Sequence, residues 1–236
     1  MPNDYFQFKQ FTVWQNRCAM KVGTDGVLLG AWAEIKNAQN ILDIGTGTGL
    51  IALMMAQRSS ARIDAIEIDP NAALQARENV QKSPWNNRIF VYNSSLQEFK
   101  NIRRHYDIIL TNPPYFTGSL MNPDLKRSTA RHDLQFSKEL LIEGVRKLLD
   151  SRGFFNIILP TEEFISFSKS LKKYNLYLSR QTNVYSKPGS PCIRVLAEFS
   201  IIGNTKLTSD LIIETNSRHK YSVQYMELTK DYYLKF

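Results

Sequence analysis

The 236-residue chain is poor in the residues that staple or ligate. Two cysteines, Cys18 and Cys192, lie far apart with no CxxC spacing, which argues against a disulfide framework or a structural zinc site. Three scattered histidines, His105, His132 and His219, make no recognisable metal cluster, so no metal is expected. No apolar run approaches the ~20 residues that span a bilayer. The start, Met1-Pro2-Asn3-Asp4-Tyr5, lacks the basic-then-apolar pattern of a secretory signal. A cytoplasmic protein without membrane contact is the simplest reading. No internal repeat or low-complexity linker divides the chain, so one domain over residues 1–236 is expected.

What is present is an ordinary globular composition with an excess of base: 43% hydrophobic, 22% charged, net charge +8. Such a balance favours polyanionic partners, because each Lys or Arg that neutralises a phosphate releases counterions. The basic residues cluster at Arg103-Arg104-His105, Lys126-Arg127 to Arg131-His132, Lys172-Lys173 and Arg218-His219-Lys220.

Strand and helix patterns alternate along the chain. Residues 5–14, rich in aromatics, read as a short hairpin or an extended arm. A helical stripe over 25–36 precedes a compact strand, Asn40 to Ile44, that Gly45 breaks. GLIALMMAQR, apolar nearly all round, reads as a buried helix. A strand from Ile63 to Ile68, a helix opening at Asp69-Pro70, a strand from Ile89 to Tyr92 and a strand from Tyr106 to Leu110 follow. Residues 115–136 are polar, basic and aperiodic, as in a functional loop. Beyond them are expected a helix from Ser137 to Asp150 ended by Arg152-Gly153, a strand Phe154 to Leu159, a helix Thr161 to Tyr174, and two strands, Tyr177 to Tyr185 and Ile193 to Ile202, joined by SKPGSP. This alternation predicts an α/β fold: a mostly parallel, seven-stranded Rossmann-like sheet with helices on both faces and an antiparallel hairpin at its edge. Ligands of such sheets bind outside the carboxyl ends of the strands.

Each motif falls at such an end. LDIGTGTGL places Asp43, Gly45, Gly47 and Gly49 after the first parallel strand. Glycine lets the backbone turn sharply and lets a ligand approach without meeting a Cβ. The spacing is GxGxG, with Leu50 where the dinucleotide fingerprint needs its third glycine. Asp43 is a poor neighbour for a pyrophosphate and a good acceptor for an ammonium group. Glu67, 20 residues after Gly47, stands where an acid grips both hydroxyls of an adenosine ribose. Turn and acid describe a pocket for a nucleoside that carries a charged amino acid and no phosphate. S-adenosyl-L-methionine fits that description better than NAD does. After the third strand Ser94 and Ser95 occupy the place where methyltransferases of this shape often have an aspartate for the adenine amino group.

The fourth strand exits into Asn112-Pro113-Pro114-Tyr115. The exocyclic amine of a base is a weak nucleophile, because its lone pair is delocalised into the ring. Two acceptors, one on each N–H, localise that pair: the Asn112 side-chain oxygen and the Pro113 carbonyl. Pro114 restricts Pro113 to an extended conformation and so fixes the carbonyl. Tyr115 offers a ring for stacking, worth ~1–3 kcal/mol per base. The chemistry is orientation and electrostatic placement, without a side-chain nucleophile.

The set Asp43-Ile44-Gly45-Thr46-Gly47-Thr48-Gly49 with Asn112-Pro113-Pro114-Tyr115 resembles class I S-adenosylmethionine-dependent methyltransferases acting on amino or amide nitrogens. Longer stretches, FKQFTVWQNRCAMKVGTDGVLLGAWA (8–33), SPWNNRI (83–89), NPPYF (112–116) and LTKDYYLKF (228–236), resemble the bacterial tRNA1(Val) adenine-37 N6-methyltransferases. The resemblance implies methylation of N6 of adenine 37, next to the anticodon of one valine tRNA; the oligomeric state expected is a monomer. It implies that residues 1–36 form an arm and helix over the cofactor pocket, with Lys21-Val22-Gly23-Thr24-Asp25 covering it and Thr24 and Asp25 near its methionine end. The expected cofactor set is then Lys21, Thr24, Asp25, Asp43, Gly45, Thr46, Gly47, Gly49, Glu67, Ile68, Ser94, Ser95 and Asn112. Tyr115, Phe116, Lys126, Arg127 and Arg131 are expected on the RNA. Three alternatives stay open: an adenine methyltransferase of ribosomal RNA or DNA, a glutamine N5-methyltransferase of protein, and an RNA-binding protein with a dead pocket.

Overall fold

The computed structural model describes residues 3–18, 20–99, 105–114, 137–203, 206–217 and 220–235. A hairpin, β1 (Tyr5–Gln7) and β2 (Thr12–Trp14), opens the chain. Then come α1 (Thr24–Trp32), β3 (Asn40–Ile44), α2 (Leu50–Arg58), β4 (Arg62–Glu67), α3 (Pro70–Gln81), β5 (Ile89–Asn93) and β6 (Tyr106–Thr111). The second half holds α4 (Lys138–Leu148), β7 (Leu149–Pro160), α5 (Thr161–Leu171), β8 (Tyr177–Tyr185), β9 (Cys192–Ser200), β10 (Leu207–Ile212) and α6 (Val223–Thr229).

Among the described residues, eight strands make one sheet in the order β10-β8-β9-β7-β6-β3-β4-β5. From β7 to β5 every neighbouring pair is parallel, while β9 runs antiparallel to both β7 and β8. Successive side chains of a strand face opposite sides. On β3, Ile41 joins a core with Leu28 of α1 and Leu53 of α2, and Leu42 joins a second core with Leu141 of α4 and Phe167 of α5. Both faces are therefore covered, which is why Ile41, Leu42 and Ile44 are apolar on both sides of β3. Among the described residues no helix is long and apolar enough to cross a membrane.

Local chemistry sets the helix ends. Asp69 accepts from the Ala72 amide at 2.7 Å, with Pro70 in the first turn of α3. Ser137 and Ser222 cap α4 and α6 in the same way. Arg58 donates to the carbonyls of Gly30, Ala31 and Ala33, each at 2.9 Å, and so satisfies the end of α1.

Two expectations are corrected. Among the described residues the sheet has eight strands, not seven, and the β8–β9 hairpin lies one strand in from the edge, because β10 adds to β8 in parallel. Of the β10 residues only Leu211 is buried, so no apolar alternation announced the strand. Arg152-Gly153 lie inside β7, not between a helix and a strand. The β6–β7 register shifts between Tyr106 and Ile108, and a Cβ on Gly153 would stand 2.8 Å from the Tyr106 carbonyl. Glycine is what lets the strands close there.

Candidate active site

The parallel register brings the motifs together. Ile44 pairs with Ile66 on one side and Thr111 on the other, so β3, β4 and β6 end side by side. The turn after β3 has positive φ at Gly45 (69°), Gly47 (55°) and Gly49 (84°), which other residues adopt only at a cost of ~1–2 kcal/mol each. A Cβ on Gly45 or Gly47 would meet nothing within 4 Å, so the turn presents bare backbone to open space. The Gly45 and Thr46 amides donate to the Ile66 carbonyl at 2.9 and 3.0 Å and hold the turn against β4.

Asp43 is wholly buried beneath this turn. Its Oδ2 accepts from the Thr46 hydroxyl at 2.6 Å and the Ala52 amide at 3.1 Å. Its Oδ1 has no partner among the described residues. Burial pushes the carboxyl up to about 7; the Thr46 and Ala52 bonds oppose the rise and the nearby Glu67 charge adds to it. A buried acceptor with one empty oxygen suits a cationic ligand, which would supply the missing countercharge.

Glu67 accepts from the Gly47 amide at 2.8 Å through Oε2 and from the Asp69 amide at 3.0 Å through Oε1. The backbone thus orients both oxygens, and each keeps a second lone pair for a hydroxyl. Asn93 donates to the carbonyls of Glu67 and Ile68 at 2.9 and 3.0 Å and ties the exit of β4 to that of β5. Ser95 is engaged elsewhere: its hydroxyl donates to Glu98 at 2.9 Å and accepts from the Glu98 amide. Ser94 donates to the Ser95 carbonyl at 3.0 Å, while its own amide anchors on the Glu67 carbonyl.

Thr111 donates to the Ile44 carbonyl at 2.9 Å and is buried, so the strand that ends in Asn112 is pinned to the strand that ends in the glycine turn. Pro113 is buried, Asn112 is half-buried, and no described residue hydrogen-bonds the Asn112 amide. Glycine turn and proline corner face one cavity of about 530 Å³. Residues 20–26 line it from the side of α1, and Ile193 and Arg194 from the side of β9.

The comparisons with known proteins agree on the family. Residues 22–158 match the methyltransferase small domain family. The chain is 50% identical to the tRNA1(Val) (adenine(37)-N6)-methyltransferase of Bacteroides fragilis, over 100% of each chain. It is 43% identical to the protein of that name from Trichodesmium erythraeum, again over 100% of each. The chain belongs to the tRNA1(Val) (adenine(37)-N6)-methyltransferase family. Among solved structures, a predicted O-methyltransferase of Agrobacterium tumefaciens superposes with a TM-score of 0.65 at 19% identity, covering 88% of this chain and 96% of that one. A 16S rRNA N2 G1207 methyltransferase of T. thermophilus, in complex with AdoMet and guanosine, superposes at 0.58 with 17% identity, over 83% of this chain and 49% of that one. These two share the fold.

In this member of the tRNA1(Val) (adenine(37)-N6)-methyltransferase family, Lys21, Thr24, Asp25, Gly45, Thr46, Gly47 and Asn112 line the cavity with Pro113 and Pro114. Gly49 starts α2 behind it, where a Cβ would touch Ala76 at 3.5 Å. Asp25 is bound in an ion pair, accepting from Arg194 Nε at 2.8 Å. Tyr115, Phe116, Lys126, Arg127 and Arg131 lie outside the described residues. Three positioning residues escaped the motif reading. Asn79 accepts from the Trp14 amide at 2.9 Å and donates to the carbonyls of Trp14 and Thr48, both at 2.8 Å, joining the arm to the glycine turn. Gln15 accepts from the Val22 amide at 2.8 Å and shapes the segment that lines the cavity. Arg194 holds Asp25. The available signal was polarity out of place: Gln75 and Asn79, four apart, interrupt the Ala72-Ala76-Val80 face of α3.

Proposed function

We propose that the protein transfers the methyl group of S-adenosyl-L-methionine to N6 of adenine 37, beside the anticodon of tRNA1(Val), giving N6-methyladenosine and S-adenosylhomocysteine. The observation that carries this reading is one cavity joining an open glycine turn, over the half-satisfied Asp43, to an Asn-Pro-Pro corner whose amide no described residue engages. Asp43 and Glu67 hold the cofactor's charged and hydroxyl groups, with Lys21, Thr24, Asp25, Thr46 and Ile68 around them. Residues 1–36 close the pocket as an arm and helix. Bound there, S-adenosylmethionine supplies an electrophilic methyl group on its sulfonium.

The chain does the rest by placement. The Asn112 oxygen and the Pro113 carbonyl each accept one N–H of the target amine and concentrate its lone pair towards the cofactor. Thr111, anchored on Ile44, keeps that corner in register with the glycine turn. No base is needed before attack, since the methylated amine is cationic and sheds its proton readily. Tyr115 and Phe116 stack on the base, and Lys126, Arg127 and Arg131 meet phosphates. The net charge of +8 supports a polyanionic substrate, and the sequences sharing half of this chain's residues bear the corresponding name. The enzyme acts as a cytoplasmic monomer.

The test is incubation with bulk unmodified tRNA and labelled cofactor, then mapping of the modified nucleoside. N6-methyladenosine at position 37 of tRNA1(Val) is expected. In parallel incubations with protein extract and with DNA, label on protein alone would favour glutamine methylation instead, and label on DNA alone an adenine methyltransferase of DNA.

A further inference from the structure

The residues LTKDYYLKF near the end of the chain take no part in the reaction just described. Their two tyrosines diverge. Tyr232 is buried, and its hydroxyl donates to the Met54 carbonyl at 3.3 Å. Tyr233 stays half-buried on the wall of a second cavity, of about 520 Å³. That cavity adjoins the first: Val22, Gly23, Thr24 and Ile213 line both. Its remaining walls are largely aromatic. Tyr221 and Tyr225 stack with centroids 5.1 Å apart and planes at 29°. Tyr233 lies 6.3 Å from Tyr225 and meets Phe6 edge-on at 6.0 Å. Tyr225 is buried and donates its hydroxyl to that of Tyr233 at 3.3 Å, so it backs the cavity while Tyr221 and Tyr233 keep half-buried rings along it. Ser186 and Glu214, half-buried, and Lys235, exposed, also line it.

We propose that this second cavity receives one unstacked nucleobase of the substrate RNA, from the strand that carries the target adenine. Its wall chemistry matches the parts of one nucleotide. Tyrosine side chains border the space that a flat base would enter, the Glu214 carboxylate accepts from a ring or exocyclic N–H, and Lys235 meets a phosphate. These rings pack on one another, and Tyr233 also on Phe6 and Phe8, yet together they border an open volume. Single-stranded RNA is recognised by splaying bases onto aromatic side chains. A strand delivering adenine to the first cavity runs over the shared wall Val22-Gly23-Thr24, which puts a neighbouring nucleotide at the second. The proposal rests on the reading of the first cavity as an RNA methylation site.

The test compares wild type, Tyr221→Phe and Tyr221→Leu on unmodified tRNA1(Val) transcript, with cofactor affinity measured in parallel. Tyr221→Leu is expected to raise the KM for tRNA by about tenfold or more, the loss of one stacked base. Tyr221→Phe retains the wild-type KM, and cofactor affinity stays within about twofold in both. A second reading needs no variant: 2-aminopurine placed on either side of the target adenine is quenched at one of the two positions when wild type binds. An unchanged KM in Tyr221→Leu, an equal rise in both variants, a matching loss of cofactor affinity, or absence of quenching at both positions overturns the second cavity while leaving the methylation reading intact. Wild type that methylates no tRNA overturns both.

Discussion

Replacing Asp43 by Asn should abolish a pH dependence that the buried carboxyl alone creates. In the free protein this group is raised from its ordinary 3.8 to about 7. Its sign is unusual for an acid. Between about pH 4 and 7 the folded chain holds a proton that the unfolded chain has lost, so stability falls as pH rises through that window. The rise from 3.8 to about 7 is worth about 4 kcal/mol in full. A bound sulfonium or ammonium group reverses the balance by favouring the ionised carboxylate. Cofactor affinity then follows the ionised fraction of the free protein, which drops from about nine-tenths at pH 8 to about one-tenth at pH 6. A loss of about tenfold, about 1.4 kcal/mol, is expected across that range in wild type relative to Asp43→Asn. Titration calorimetry on both proteins, at several pH values and in buffers of different ionisation enthalpy, measures the ratio and counts the proton released. Parallel pH profiles in the two proteins, with no net proton release in wild type at pH 7, would refute the assignment of Asp43 as the countercharge.

Three further outcomes are expected. Asn112→Ala leaves cofactor affinity largely intact and nearly abolishes methyl transfer; unchanged turnover on saturating tRNA would sink the two-acceptor mechanism. Tyr106→Phe removes a 2.8 Å hydrogen bond from a buried tyrosine to the Asp64 carboxylate. It costs about 1.5–3 kcal/mol, read as a lower urea midpoint, and an unmoved midpoint would show that the Arg62–Asp64 pair at 3.0 Å suffices. Charge reversal at Lys126, Arg127 and Arg131 weakens tRNA binding and flattens its salt dependence by about one unit of slope for each phosphate no longer neutralised; an identical slope would place the RNA elsewhere.

The alternation of strand and helix was legible because sheet burial on both faces demands apolar runs, and Asp69-Pro70 and Ser137 mark helix starts by side-chain capping. The glycine turn was legible because positive φ at three places leaves little choice of residue. The NPP corner was legible through what proline forbids. β10 was not: it is held by backbone pairing to β8, which leaves no trace in side-chain order. Arg194 and Asn79 were hidden for a related reason. The partner of each is distant in sequence: Asp25 by 169 positions, Trp14 by 65. Nor did the serines after β5 reveal that Ser95 is taken up by a local turn with Glu98.

The Asn79 carboxamide gives the molecule an optical handle. One side chain touches both Trp14 and the carbonyl of Thr48 in the glycine turn. Trp14 is 37% exposed, with the Lys82 ammonium 5.0 Å from its ring centroid and Tyr5 at 5.1 Å. Its emission is therefore set by neighbours that a small shift of the arm rearranges. Ligand that stiffens the turn should change the fluorescence of a tryptophan that lines no part of the ligand's cavity, and Asn79→Ala should uncouple the two. The enzyme's own N-terminal arm would then report occupancy without a label.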